Sequence, residues 1–305
     1  MNPDGGPTIR VGTAPDSWGV WFPEHPRQTP WSRFLDEVQQ AGYQWIELGP
    51  YGYLPTDPHR LEDELAARDL RLSGGTVVTG LHRGLAERAR ATERVDAVAA
   101  LVAALGGTNI VVIPEMWRSE LTGEQDAPRT LTPEQWAAMG EGHNWLGRHL
   151  AETWGMTQQF HSHVDTHVAS EADVQRLLEV TEPDLLSLCL DTGHYAFTGA
   201  DTVSLIERFP ERIGYLHLKQ VDPHRSTRAR DADTPFAVCA SEVMVEPPSG
   251  VPEFAPIIDA VLAHHSDLFA IVEQDMPGVD PNEPLAIATR TRRYLQSLNP
   301  AIRMR

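Results

Sequence analysis

The sequence predicts one (β/α)8 barrel spanning residues 1–305, and three observations predict it. Short runs of strand length alternate with longer stretches of helical period, eight of each. The strand runs are apolar almost throughout, as in parallel sheets covered on both faces. The connections that follow strands are long (15–30, 114–131 and 219–251), whereas those that precede strands are short. A barrel gathers its variable loops at the C-terminal ends of its strands in this way. No Gly-x-Gly-x-x-Gly follows the first strand, so an open dinucleotide-binding sheet is disfavoured.

The units follow in order. A strand over 9–14 precedes a helix over 31–41, and a strand over 43–48 precedes a helix over 60–67. The third unit pairs 71–78 with 86–105, which Gly106-Gly107 closes by allowing a left-handed C-terminal turn. The fourth pairs 109–113 with 134–154, opened by Thr132 as N-cap and Pro133 at the first helical position. Strands over 157–161, 185–190, 213–218 and 268–273 then precede helices over 171–180, 203–208, 255–264 and 284–298. Trp136, Trp145 and Trp154 recur on one of these helices and read as packing.

Composition narrows the function classes. With 25 basic and 43 acidic residues the formal net charge is −18, and no basic run is long enough to meet a phosphate backbone or an anionic lipid surface. No nucleic acid and no membrane are therefore expected as partners. No apolar run approaches the ~20 residues that span a bilayer. The stretch 1–7 has neither the basic nor the apolar part of a leader. Two cysteines, Cys189 and Cys239, build no disulfide framework, and Cys189 reads as buried core. A cytoplasmic protein is expected.

In a barrel, polar residues at strand ends become the site. They are Asp16 and Trp18, Glu47, Glu115, His161 with His163 and Asp165, Asp191 with His194, His217 with Lys219, and Glu273 with Asp275. Asp191, His217 and Glu273 end three consecutive apolar strands. Any one of them could simply satisfy hydrogen bonds at the barrel mouth. Three oxygen or imidazole donors in register suit a divalent cation, with Mn²⁺, Co²⁺, Mg²⁺ and Zn²⁺ all compatible. His161 and His163 could add a fourth ligand or a general acid/base. Trp18, Trp21, Phe22, Tyr51 and Tyr53 crowd the first loops, as in a polyol pocket where C–H faces stack on rings.

At these residues the chain resembles the xylose isomerase-like barrel superfamily of sugar-phosphate isomerases and epimerases, and within it the inosose dehydratases. The resemblance runs through Gly12-Thr-Ala-Pro-Asp-Ser-Trp18, Trp45-Ile-Glu-Leu-Gly49, His161-Ser-His163 and the 171–177 segment. It continues through Leu190-Asp-Thr-Gly-His194, His217-Leu-Lys219 and Val272-Glu-Gln-Asp275. It implies metal ligation by Asp191, His217 and Glu273. Where relatives carry a further glutamate in the strand-five segment, this chain has Ala169, which ligates nothing. His163, Asp165 or water then completes the shell, or the metal is held more weakly.

The activity implied is metal-dependent dehydration of a small keto-polyol through an enediolate, as in dehydration of 2-keto-myo-inositol. Glu273 or His161 would take the proton, and His194 or Lys219 would protonate the departing hydroxyl. Trp18, Glu47 and Asp275 would touch substrate. Ketose isomerisation or 3-epimerisation, β-elimination of a 3-keto-glycoside, and a non-catalytic sugar-binding subunit are the alternatives. Barrel relatives often associate, so a homo-oligomer is also expected.

Overall fold

Eight parallel strands close into a barrel, because the last of them pairs with both its predecessor and the first. The computed structural model describes residues 6–304, so most of the 1–7 stretch lies outside the described residues. In chain order the elements are β1 (Thr8–Thr13), α1 (Trp31–Ala41), β2 (Trp45–Glu47), α2 (Pro58–Ala66), β3 (Arg71–Thr79) and α3 (Leu85–Ala104). Then come β4 (Asn109–Pro114), α4 (Pro133–His149), β5 (Thr157–His161), α5 (Glu171–Val180), β6 (Ser187–Asp191), α6 (Thr192–Phe197) and α7 (Thr202–Arg208). They continue with β7 (Ile213–Leu218), β8 (Gln220–Val221), α8 (Pro223–Asp231), α9 (Phe236–Val243) and β9 (Met244–Val245). The chain ends with α10 (Phe254–His264), β10 (Asp267–Val272), α11 (Pro284–Leu298) and β11 (Ile302–Arg303). The barrel is β1 to β7 with β10.

Register explains why strand ends converge. Val11 pairs with Ala270 and Thr13 with Val272, while Asp191 pairs with His217, so the polar residues terminating these strands reach one level of the barrel mouth. Below them Val111, Cys189, Tyr215, Phe269 and Ile271 fill the interior. Burial pushes the Cys189 thiol up to about 12, which makes it inert core. At the opposite end Arg10 lies 3.8 Å over the Phe269 ring and makes paired hydrogen bonds of 2.9 and 2.7 Å to Asp267, plugging the floor.

The caps act as the sequence suggests. Thr132 and Gln135 form a reciprocal capping box at α4, and Gly106 takes φ 75° after α3. The α4 helix ends at His149 and continues as one π-helical turn to Trp154. Trp136 is buried, and Trp145 and Trp154 pack against the core.

Loop seven departs from the sequence reading. What reads as one long connection holds α8, α9 and an antiparallel β8–β9 pair. These pieces carry their own apolar cluster of Val221, Phe236, Val243 and Met244 with Phe197 and Val164. It forms a shoulder over the barrel mouth that delivers Phe236 to the cavity. Another helix, α6, starts directly at the end of β6.

Candidate active site

The Asp191-Thr-Gly-His194 segment shows how local structure builds the site. Asp191 Oδ1 accepts the His194 amide at 2.7 Å, capping α6, which leaves Oδ2 to face the barrel axis. Thr192 Oγ1 donates to the Lys219 carbonyl at 2.7 Å and accepts its amide at 2.9 Å, locking α6 to the end of β7. A side chain at Gly193 would place Cβ 2.4 Å from the Lys219 Cβ, so only glycine fits there.

His161, Asp191, His217 and Glu273 converge, one from the end of each of four neighbouring strands. Each offers a ligand atom, and these atoms all lie within 4.8 Å of one another in a buried setting. Asp191 Oδ2 is 3.4 Å from His161 Nε2, 3.7 Å from His217 Nδ1 and 3.3 Å from Lys219 Nζ. His217 gives its Nε2 to Glu47 Oε2 at 3.0 Å and turns Nδ1 toward Glu273 Oε2 at 2.9 Å. A neutral imidazole has a single N–H. With that N–H directed at Glu47, the Nδ1 lone pair meets a carboxylate, and positive charge between them is required. A proton or a metal ion can supply it. Asp191 Oδ2 and His217 Nδ1 are buried without a hydrogen-bond partner, as unfilled ligand atoms would be. The two imidazoles and two carboxylates therefore fit a divalent cation.

Lys219 stands beside this cluster, buried at the floor of the cavity. Its Nζ lies 3.0 Å from Glu273 Oε2, 3.0 Å from Asp275 Oδ2 and 3.7 Å from Asp16 Oδ2. Burial alone would depress the ammonium, but Asp191, Asp275, Glu273 and Asp16 together hold it well above the ordinary lysine value. Burial likewise opposes ionisation of Glu273, yet His217 and Lys219 bring its carboxyl down to about 2. Asp16 goes the other way: burial and the neighbouring Glu273 charge raise it well above the usual carboxylate range. Its Oδ2 has no hydrogen-bond partner and borders the cavity.

Several sequence expectations are corrected. Trp18, expected to touch substrate, is buried; its Nε1 donates to Glu37 Oε2 at 2.7 Å and its ring meets Phe34 edge-on. The 3-10 turn Pro15–Trp18 swings the indole onto α1, away from the cavity. Tyr53 is likewise structural, donating to the Thr29 carbonyl at 2.8 Å. His163, expected as a ligand, borders the cavity but stands outside the cluster, with Nδ1 donating to the Val164 carbonyl at 2.7 Å. Burial, then His161, lowers its imidazole to about 3.

His194, expected as an acid, does not border the cavity. It packs beneath His163 at a ring separation of 3.7 Å and takes a 3.3 Å hydrogen bond from Lys219. Burial and His163 keep it neutral, well below the usual histidine range. Glu47 has both oxygens engaged, one by Thr76 and one by His217, so it orients an imidazole more than it awaits a hydroxyl. Asp275 borders the cavity as expected. Ala169 lines a separate cavity with His167, away from the cluster. The donor at the end of β5 is His161, and position 169 has no part in the shell.

The cavity above the cluster measures about 770 Å³. Its cations are all engaged: Lys219 as described, Arg118 with Asp165 and Asp233, and Arg94 with Glu87. Asp165, at φ 62°, accepts the Phe236 amide at 2.7 Å and so pins α9 over the mouth. Arg225, Arg228 and Arg230 do not reach this cavity.

Fold and cluster together define a class: closed parallel barrels that gather metal-ligating side chains at the strand C-termini. A family model described as the xylose isomerase-like TIM barrel matches residues 35–298, and the chain belongs to that family. It is similar to an inosose dehydratase of Lacticaseibacillus casei, with 27% identity over 95% of this chain and 97% of the relative. Among solved structures it resembles the IOLI protein with a bound zinc atom, at TM-score 0.72 and 15% identity, over 95% of this chain and 98% of that one. It also resembles the probable 3-DHS dehydratase AsbF of Bacillus anthracis, at TM-score 0.68 and 16% identity, over 95% of this chain and 100% of that one.

Proposed function

We propose that this protein is a metal-dependent lyase of the inosose dehydratase kind, removing water from a small, uncharged keto-polyol. The observation that carries the reading is the His161, Asp191, His217 and Glu273 cluster with the Lys219 ammonium 3.0 Å from Glu273. These four side chains would hold Mn²⁺, Co²⁺, Mg²⁺ or Zn²⁺, whose Lewis acidity toward a ketone oxygen acidifies the neighbouring C–H.

The chain's own groups supply the proton transfers. Glu273, ionised, takes the proton α to the ketone, and Lys219, fully charged, gives one to the departing β-hydroxyl. The 3.0 Å contact between them returns the proton from Glu273 to Lys219, so the site resets when water leaves. In the substrate an α C–H and a β C–O bond break and a C=C forms. The hydroxy-enone left behind tautomerises to a 1,2-dione.

One feature favours elimination over epimerisation, and a second bears on the form of the substrate. A two-carboxylate shuttle needs a carboxylate on each face of the substrate, and the β5 donor here is His161. All three cations bordering the cavity are engaged by carboxylates, which leaves none to receive a phosphate and selects an unphosphorylated substrate. No described helix is long and apolar enough to cross a membrane, and both cysteines are unpaired and buried, as suits the reducing cytoplasm.

The test is to load the protein with Mn²⁺ or Co²⁺, add 2-keto-myo-inositol and follow the ultraviolet absorbance of the enolised dione. Signal that depends on added metal and vanishes in Asp191→Ala supports the reading. Deuterium entering recovered substrate without water loss assigns the site to isomerisation or epimerisation instead. Absence of both overturns it.

A further inference from the structure

A second cavity, of about 440 Å³, lies between α5 and α8, and its charge runs against that of the molecule. The chain carries a formal net charge of −18, yet Arg118, Arg129, Arg176 and Arg230 border this space against Asp165, Asp173 and Asp233. Positive groups are in excess there. None of His161, Asp191, His217 and Glu273 borders it, so it is no part of the reaction site.

The arginines divide into two pairs. Arg118 and Arg129 are engaged by the protein: they reach Asp233 at 2.5 and 3.3 Å, and Arg118 also approaches Asp165 at 3.5 Å. Arg176 and Arg230 have no carboxylate partner among the described residues. Arg230, on α8, donates one N–H to the Phe197 carbonyl at 2.8 Å. Arg176, on α5, lies over the Trp136 ring at 4.5 Å, which fixes its guanidinium and leaves the N–H fork at the edge free. The acid nearest to it in sequence is Asp173. Its Oδ2 turns back to the Ser170 amide and hydroxyl at 3.0 and 2.6 Å, as the capping box of α5.

We infer that this second cavity is an accessory binding site for the phosphate monoester of a small sugar or polyol. Two guanidinium forks, on separate helices, border one space without an acid to hold them. A phosphate monoester brings three acceptor oxygens and a charge of about −1.5 to −2, enough to engage both forks, whereas a flat carboxylate pairs with one. The cavity has room for about fifteen atoms at the ~30 Å³ that a water occupies in the liquid, the size of a pentose phosphate. Thr130, Thr198 and Thr234 also border it and supply hydroxyls to meet those of the sugar. The ester is held there and not transformed, because no reacting group reaches it.

Calorimetric titration of the full chain with ribose 5-phosphate, run with and without added metal, tests this. One site with the same affinity in both preparations is expected. Arg176→Ala and Arg230→Ala should each weaken binding about tenfold or more, as loss of a hydrogen bond to a charged group does. Both side chains are exposed, so truncation leaves the core intact. Arg176→Lys keeps the charge without the fork and should fall between wild type and Arg176→Ala. Arg228→Ala, on α8 but outside the cavity, should bind as wild type does. Ribose should not bind, and ribonate and inorganic phosphate should bind severalfold more weakly than the ester. The inference is overturned by absence of binding, by unchanged affinity in either alanine variant, or by binding that needs the metal. Ribonate or inorganic phosphate bound as tightly as the ester overturns it too.

Discussion

Glu47 is not one of the four clustered donors, yet removing its charge should weaken metal binding. Its Oε2 receives the His217 Nε2–H at 3.0 Å, and its other oxygen takes the Thr76 hydroxyl, all in a buried setting. The carboxylate fixes the tautomer that presents Nδ1 to the cluster and makes that nitrogen more basic. Outer partners of this kind are worth 10–100-fold in metal affinity, about 1.4–2.7 kcal/mol. Glu47→Gln keeps one acceptor and loses the charge, so it should fall near the tenfold end. Glu47→Ala also strands the His217 N–H and the Thr76 hydroxyl, at a further cost of about 1–3 kcal/mol in stability. Titration of metal-free protein with Co²⁺, read from the visible absorbance of the bound ion and by chelator competition, gives the affinities. Wild-type affinity in both variants would refute the orienting role and return Glu47 to the substrate-contacting role first expected of it.

Two further predictions concern the scaffold. His143 is buried beneath the barrel wall with Nδ1 against Gln158 at 2.7 Å, and burial lowers its pKa from 6.5 to about 4. A lowered folded value means that the stability it contributes is complete above pH 6.5 and lost as pH falls toward 4, about 3 kcal/mol in all. Urea unfolding of His143→Gln should therefore show a pH slope shallower than wild type by ~1.4 kcal/mol per unit in that window; equal slopes would contradict it. In α4, a Cβ on Gly147 would meet the Leu185 carbonyl oxygen, a backbone atom with no room to yield. Gly147→Ala should cost about 3 kcal/mol in denaturant unfolding, and a variant as stable as wild type would show that the packing there relaxes.

What the sequence disclosed, and what it hid, follows from where each kind of information resides. Asp191, His217, Lys219 and Glu273 were legible because a parallel barrel sends every strand end to one rim, so an apolar run that stops at a ligand type already locates the ligand. The fourth donor was only half resolved. The residues offered His161 and His163 as equal candidates, and the motif comparison turned the choice to His163, Asp165 or water, although His161, the last residue of β5, already stood at the rim. Trp18 shows the limit of proximity in sequence. One turn of 3-10 helix beyond β1 rotated its indole onto Glu37, a partner on α1 that no local pattern announces. The α8 and α9 shoulder escaped because α8 is almost entirely polar and has no apolar period to detect. Phe236, which α9 brings to within 5.5 Å of the His163 ring, stood inside the stretch read as one long connection and so was not singled out. The candidate ligand cluster is thus written in strand ends, while part of the cavity wall above it is written in loop seven. Loops of this kind vary without disturbing the barrel beneath them, so the wall can change while the cluster stays.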